Sequence, residues 1–287
     1  MKAYVFPGQG SQFSGMGKDL YDRYKVAKTL FKSANEILGF DITRILFEGS
    51  KEDLQQTRVT QPAIYIHSVI MSKVLGDKFR PDALAGHSLG EYAALAAAGS
   101  LLIGDAAKLL RQRGDAMQEA VPVGAGAMAA ILGGDEDQIS AIVAASKNSG
   151  LVEIANDNAP GQIVISGATD AVDKAIDEAK AAGLRRAIKL PVSAPFHCGL
   201  MAPAAEVMRN ALAANLINDA NMPVCCNVTA DAESSADKLR ANLIKQVTGR
   251  VRWRETLMSM QTAGCKLYIE LGTGKILSGL VKRTLQD

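Results

Sequence analysis

The usual equipment for metal, membrane and nucleic-acid chemistry is scarce in this chain. Its 287 residues hold only three histidines, His67, His87 and His197, and no two fall at H-x-x-x-H spacing. The four cysteines, Cys198, Cys225, Cys226 and Cys265, form neither a C-x-x-C pair nor a disulfide framework. No metal site is expected, and a reducing, cytoplasmic compartment is. The amino terminus, MKAYVFPGQG, has no signal-peptide core, and no apolar run is long enough to span a bilayer, so no membrane role is expected. A formal net charge of +2 leaves no electrostatic footprint for nucleic acid. Local cations do gather, at Arg250, Arg252 and Arg254 and at Lys282 and Arg283. They read either as solvated surface or as docking for an acidic partner.

What is present is ordinary for a globular protein: 48% hydrophobic and 22% charged residues, in a length that suits one large domain carrying an insertion. Short β-rich runs alternate with longer helical patterns, which predicts an α/β fold with a mostly parallel sheet. KAYVF (2–6) reads as a first strand and DALAG (82–86) as another. TRVTQPAIYIHSVIMSKVL reads as a helix capped by Thr60 with Pro62 in its first turn, and GDAAKLLRQRGDAMQEA as one capped by Asp105. From residue 124 the order becomes β-α-β-β-α-β: AGAMAAILGG, DEDQISAIVAAS, two strands in LVEIANDNAPGQIVISG, ATDAVDKAIDEAKAAG, then RRAIKLPVS. That order predicts an inserted ferredoxin-like α+β subdomain over 124–190, with the large domain formed by 1–123 and 191–287. MPVCCNV and KLYIEL are expected to return to the large sheet.

Gly86-His87-Ser88-Leu89-Gly90 matches G-x-S-x-G, a nucleophile elbow, with the strand before it and the helix after it that the motif requires. The serine then projects at a helix start, where unpaired backbone N–H groups favour developing negative charge. A serine needs a base. His67 lies in an apolar helix and reads as a core residue; His87, beside Ser88 on a tight turn, reads as support for the elbow. His197, in the loop LPVSAPFHCGLM and C-terminal to the serine, is the expected base. No Asp or Glu between Ser88 and His197 stands out as a triad acid, so a neutral orienting group is as acceptable as a full triad.

Two further features stay open on the residues alone. At 100° per residue, Arg113 falls in the middle of the face formed by Ala106, Leu109, Leu110, Ala116, Met117 and Ala120. A buried guanidinium needs a partner, either an internal carboxylate or the carboxylate of a substrate. Gly8-Gln9-Gly10-Ser11-Gln12 is not a dinucleotide fingerprint, because residue 13 is Phe13. It is either a tight turn or a loop that carries backbone N–H groups to a neighbouring oxyanion.

These pieces, FPGQGSQFSGMG, TQPA, GHSLGEYAAL, QRGDAMQEA, ANDNAPGQIVISG, SAPFH and GTGKILSGLVKR, resemble the malonyl-CoA:acyl-carrier-protein transacylases of fatty-acid synthesis from residue 4 to about residue 283. The resemblance implies a large α/β-hydrolase-like domain with a ferredoxin-like insertion. It implies Ser88 as the nucleophile, His197 as its base, and Gln9 and Leu89 as the backbone donors of the oxyanion hole. Arg113 would hold the malonyl carboxylate, and the carbonyl of Gln246 would orient the histidine. In related domains Leu after the serine and Phe before the histidine accompany malonyl rather than methylmalonyl; Leu89 and Phe196 agree. Residues 246–250 read QVTGR where many relatives have Asn-Pro after the Gln, and ELGTG replaces the commoner E-x-G-P-G. The implied partners are malonyl-CoA and holo acyl carrier protein, with no cofactor beyond the CoA thioester substrate and a monomeric state. Rival expectations are a malonyl transferase of a polyketide or malonate decarboxylase system, a serine thioesterase, and an idle carrier-binding scaffold.

Overall fold

A computed structural model describes residues 1–184 and 186–285. Arg185, in the predicted last strand of the insertion, and Gln286 and Asp287, at the end of the predicted large domain, lie outside the described residues.

The chain enters the sheet at once with β1 (Lys2–Phe6), then wraps four helices, α1 (Lys18–Arg23), α2 (Lys25–Leu38), α3 (Ile42–Glu48) and α4 (Lys51–Gln55), before α5 (Thr57–Leu75). β2 (Ala83–Gly86), α6 (Gly90–Ala97) and α7 (Ile103–Glu119) follow. Next come β3 (Gly126–Leu132), α8 (Glu136–Ser146), β4 (Val152–Ala159), β5 (Gln162–Ala168), α9 (Thr169–Ala181) and β6 (Arg186–Lys189). The remainder is α10 (Ala202–Ala213), β7 (Val224–Cys225), β8 (Ala232–Glu233), α11 (Ala236–Thr248), α12 (Trp253–Thr262), β9 (Leu267–Glu270) and α13 (Ile276–Thr284).

Two sheets result. One runs β8-β7-β2-β1-β9, parallel except at β8. β2, its middle strand, is buried at all four residues, as a strand covered on both faces must be. The other runs β4-β5-β3-β6 with every pairing antiparallel, and α8 and α9 share its core. Numbered within the segment, that order is 2-3-1-4, the arrangement a β-α-β-β-α-β split unit takes. The fold is therefore α/β, with a parallel sheet and a second, antiparallel subdomain.

Several local readings need correcting. Gln56, not Thr60, stands at the start of α5, because its carbonyl accepts from the amides of both Val59 and Thr60 at 2.7 and 2.8 Å. Pro62 is consequently the sixth helical residue rather than a first-turn one. Leu102 rather than Asp105 caps α7; Asp105 lies in the first turn, where its charge still favours the helix N-terminus. β7 pairs for only two residues because the chain turns back after Cys226, whose carbonyl accepts from Ala230 N at 2.9 Å.

The arginines at 250–254 are tied into ion pairs, whereas Lys282 and Arg283 of α13 stay exposed. Asp157 of β4, 1% exposed at its side chain, accepts from Arg250 Nη2 at 3.0 Å and Arg254 Nε at 2.8 Å. Glu136 takes Arg250 Nη1 at 2.7 Å and Arg254 Nη2 at 3.1 Å, and Arg252 pairs with Glu255. Beside this clamp, Val251 bridges to Asn156 of β4 in parallel. The antiparallel subdomain is thus laced to the segment between α11 and α12. Replacing Asp157 by Asn leaves two half-buried guanidinium groups with only the more exposed of their two shared anions, Glu136; about 2 kcal/mol of stability should be lost. Urea denaturation of Asp157→Asn reads this directly, and an unchanged midpoint contradicts it.

Candidate active site

Between the end of β2 at Gly86 and the start of α6 at Gly90, three residues must reverse the chain. They do so with Ser88 at φ +53°, left-handed backbone that costs a non-glycine residue of order 1–3 kcal/mol. The flanking glycines are steric necessities. A Cβ on Gly86 would lie 1.9 Å from the Gly90 carbonyl, and one on Gly90 would lie 2.2 Å from Phe6 O. Among the described residues only Ser88, His197 and Ala230 combine a side chain with positive φ. Two of the three are the predicted nucleophile and base.

Those two meet. Ser88 Oγ–H lies 2.7 Å from His197 Nε2. His197 Nδ1–H donates to the backbone carbonyl of Gln246 at 2.8 Å, which fixes the tautomer that leaves Nε2 free to accept. A neutral carbonyl therefore stands where a triad acid could have stood, and QVTGR still delivers it: α11 continues through Gln246 to Thr248. His197 is 4% exposed. Burial, reinforced by the positive charge of Arg113, pushes its pKa down to about 3, so the ring is neutral at working pH.

Arg113 reaches the same point from α7. It is 1% exposed, and burial lowers its pKa from the ordinary guanidinium value. Nη1 donates to Gln61 Oε1 at 2.7 Å, Nη2 to Gln246 Oε1 at 2.9 Å and to Ser88 Oγ at 3.3 Å. All of these acceptors are neutral. Nε has no acceptor among the described residues, so the fork keeps donor capacity. Of the two partners considered for Arg113, the internal carboxylate is not in direct contact.

A cleft of about 700 Å³ opens over the group, lined by Gln9, Gln61, Ser88, Arg113, Met117 and His197 among others. Gln9 follows β1 and Leu89 immediately precedes α6; both line the cleft beside Ser88. Their amide hydrogens meet no acceptor among the described residues, and amides so placed can receive a developing oxyanion. The loop carrying Gln9 is held from behind, with Ser11 Oγ donating to Gly8 O at 2.8 Å and Thr273 Oγ1 to Ser11 Oγ at 2.7 Å.

Behind the site, sequence reasoning named His87 and Gln246 but missed Gln61, Glu91, Asn158 and Asn227. Glu91, the second residue of α6, is 1% exposed; its Oε2 accepts from Gln246 Nε2 at 2.8 Å and from Asn227 N at 3.0 Å. Burial pushes its pKa up to about 7. Gln246 Nε2 also donates to Ser88 O at 3.0 Å. His87 pairs through Nε2 with Asn158 Oδ1 at 2.8 Å, and its ring lies 5.5 Å from that of Trp253. Gln61 and Glu91 were detectable by the signal that found Arg113, a polar residue in an apolar helical run. Asn227 and Asn158 sit in loop and strand positions with no such contrast. Among the described residues no three His, Cys, Asp or Glu side chains come together as a metal site needs, and no helix is long and apolar enough to cross a membrane.

A strained serine, a neutral histidine and a donor-lined cleft define an acyl-transfer site. The chain belongs to the acyl transferase domain family, whose model matches residues 3–287, and it falls among the malonyl CoA-acyl carrier protein transacylases. It is 46% identical over 98% of its length to the transacylase of that name from Bacillus subtilis, 89% of which is covered. Against the one from Escherichia coli strain K12 it is 42% identical over 98% of this chain and 92% of the other. The solved acyl carrier protein S-malonyltransferase of Vibrio cholerae superposes with a TM-score of 0.96 at 44% identity, covering 99% of this chain and 94% of that one. A malonyl-transacylase solved in complex with a type II PKS acyl-carrier protein gives 0.96 at 41% identity, covering 99% and 92%.

Three enclosed histidines make the protein acid-sensitive. Burial depresses His67 to about 4 and His197 to about 3, and lowers His87 as well. Below pH 6.5 the unfolded chain takes up protons that the folded one refuses, so stability is full above that pH and drains away toward pH 4. Glu91, raised to about 7, works in the opposite sense by holding a proton in the folded state, and offsets one histidine. Each histidine not offset costs about 1.4 kcal/mol per pH unit in that window. Thermal midpoints at pH 7.5 and pH 5.0 should differ, with the lower one at pH 5.0; equal midpoints would contradict neutral burial.

Proposed function

We propose that the protein moves a malonyl group from malonyl-CoA to the phosphopantetheine thiol of holo acyl carrier protein through an ester on Ser88, supplying fatty-acid biosynthesis. It does so as a cytoplasmic monomer with no cofactor. The observation that carries this reading is the buried Arg113 fork 3.3 Å from Ser88 Oγ, bonded only to neutral acceptors. A malonyl carboxylate supplies the missing anion in bidentate geometry and places its thioester carbonyl over the serine.

His197 Nε2 takes the Ser88 proton as Oγ attacks the thioester carbon, and the oxyanion is received by the amides of Gln9 and Leu89. Collapse breaks the C–S bond, and the imidazolium returns its proton to the departing CoA thiolate. The carrier's thiol then gives its proton to His197 and attacks the ester; the same steps in reverse release Ser88. Burial is the larger cause of the His197 depression and remains, but pairing of Arg113 with the substrate anion offsets the second cause, so the base strengthens when the correct acyl group is bound.

A second reading, service to a polyketide carrier, draws on the similarity to the malonyl-transacylase solved with a type II PKS carrier. It uses the same chemistry and differs only in the acceptor.

Mixing the protein with malonyl-CoA and weighing it should show one malonyl adduct, absent from Ser88→Ala. No adduct on the wild type, or the same adduct on the variant, removes the assignment. Arg113→Ala should lower kcat/KM for malonyl-CoA about a hundredfold, the worth of a charge-assisted pair, while acetyl transfer changes much less. Equal losses for the two acyl groups would take Arg113 out of the carboxylate role.

A further inference from the structure

β2 and β7 run parallel in the register Leu84 with Val224 and Ala85 with Cys225. Continued by two residues, that register sets Asn227 opposite His87. In a regular parallel ladder the backbone N–H of residue 227 would donate to the carbonyl of 86, and its carbonyl would accept from the N–H of 88. The structure shows the substitution of a side chain for the backbone. Asn227 Nδ2 donates to Gly86 O at 2.7 Å, and Asn227 Oδ1 accepts from Ser88 N at 2.7 Å. The released backbone groups have other partners: Asn227 N donates to Glu91 Oε2 at 3.0 Å, and its carbonyl accepts from Arg252 N at 2.9 Å.

We propose that Asn227 is the positioning residue of the nucleophile, its carboxamide standing in for the backbone N–H and C=O of residue 227 and so holding Ser88 in the left-handed turn that aims Oγ at His197. The inference rests on Ser88 being the nucleophile. Two hydrogen bonds fix the two backbone groups on either side of His87, and a primary amide offers both the donor and the acceptor they need. Aspartate has the shape without the donor, and serine carries donor and acceptor on a single oxygen of a shorter side chain. Asn227 is fully buried, so no water replaces it. Gln246 Nε2, 3.3 Å from Asn227 Oδ1, and Glu91 Oε2 fix which end of the amide faces which partner. The amide nitrogen of Gln246 points toward Asn227, so the oxygen of Asn227 points back and its own nitrogen is left for Gly86.

The test follows Ser88 with two probes in the full-length protein. One is malonyl-CoA, read by rapid quench and intact mass. The other is a serine-directed fluorophosphonate, which forms the Oγ–P bond as fluoride leaves and needs no recognition by Arg113. Asn227→Asp should slow both reactions by a similar factor, about a hundredfold, the scale of a misplaced reacting atom. The final labelled fraction should stay at the wild-type level, and the KM for malonyl-CoA should change less than about threefold. Asn227→Ser, which buries no charge, should show a smaller loss of the same kind and carries the test if the aspartate variant does not fold. A wild-type rate constant in either folded variant overturns the proposal. So does a reduced labelled fraction reacting at the wild-type rate, the signature of partial unfolding alone. If the wild type reacts with the fluorophosphonate but not with malonyl-CoA, the assigned substrate is wrong and the fluorophosphonate rates still judge Asn227. If the wild type reacts with neither, both readings fall.

Discussion

A guanidinium sealed among apolar helices has no water to fall back on, and the cleft is organised around meeting that constraint at Arg113. Its partners are two amide oxygens and a hydroxyl, so the charge is hydrogen-bonded without being cancelled. The nearest buried acid, Glu91, is one amide away through Gln246. This half-satisfied charge does two things. It favours any small anion that can enter, and it adds to the burial that keeps His197 neutral, the form in which an imidazole can accept a proton. One buried charge therefore bears on both the cleft's preference for anions and the neutrality of the histidine.

The second constraint is backbone strain at the serine and the histidine that meet in the cleft. Ser88 and His197 each hold a left-handed conformation, which persists only where the surroundings over-determine it. Around Ser88 the determinants are the glycines at 86 and 90, the Asn227 amide, and Gln246 Nε2 on the serine carbonyl. Around His197 they are the Gln246 carbonyl and the packing of Pro195 against Gly126, where a Cβ would lie 2.4 Å from Pro195 Cγ. Gln246 enters both sets and also holds Arg113, so one side chain and its own carbonyl align nucleophile, base and cation. The antiparallel subdomain contributes Asn158 behind His87, and the Asp157 clamp keeps it in place.

What could be read from the residues follows how local each cause is. The elbow was legible because its cause lies within five residues: two glycines that cannot carry a Cβ and a serine between them. The β-α-β-β-α-β order and the amphipathic phase of α7 were legible for the same reason, and Arg113 appeared as a breach of that phase. Helix starts were less so. Gln56 displaced Thr60 through the backbone bonds of its own carbonyl, which no side-chain pattern announces. Arg250 and Arg254 looked like surface charge because their anions, Glu136 and Asp157, lie about a hundred residues upstream, at separations of 114 and 93 from Arg250.

By itself the sequence determined which groups could react: a serine on a sterically enforced turn, a histidine in a loop, and a cation placed among alanines and leucines. Family resemblance alone singled out Gln246, and nothing in the chain marked Asn227. Tertiary structure decided who meets whom, bringing His197 to Ser88 across 109 residues and Gln246 across 158. The physical reason is range. Steric rules and helical phase act over a few neighbouring residues, whereas a buried hydrogen bond selects its partner only after sheet register and helix packing have placed the two ends within about 3 Å.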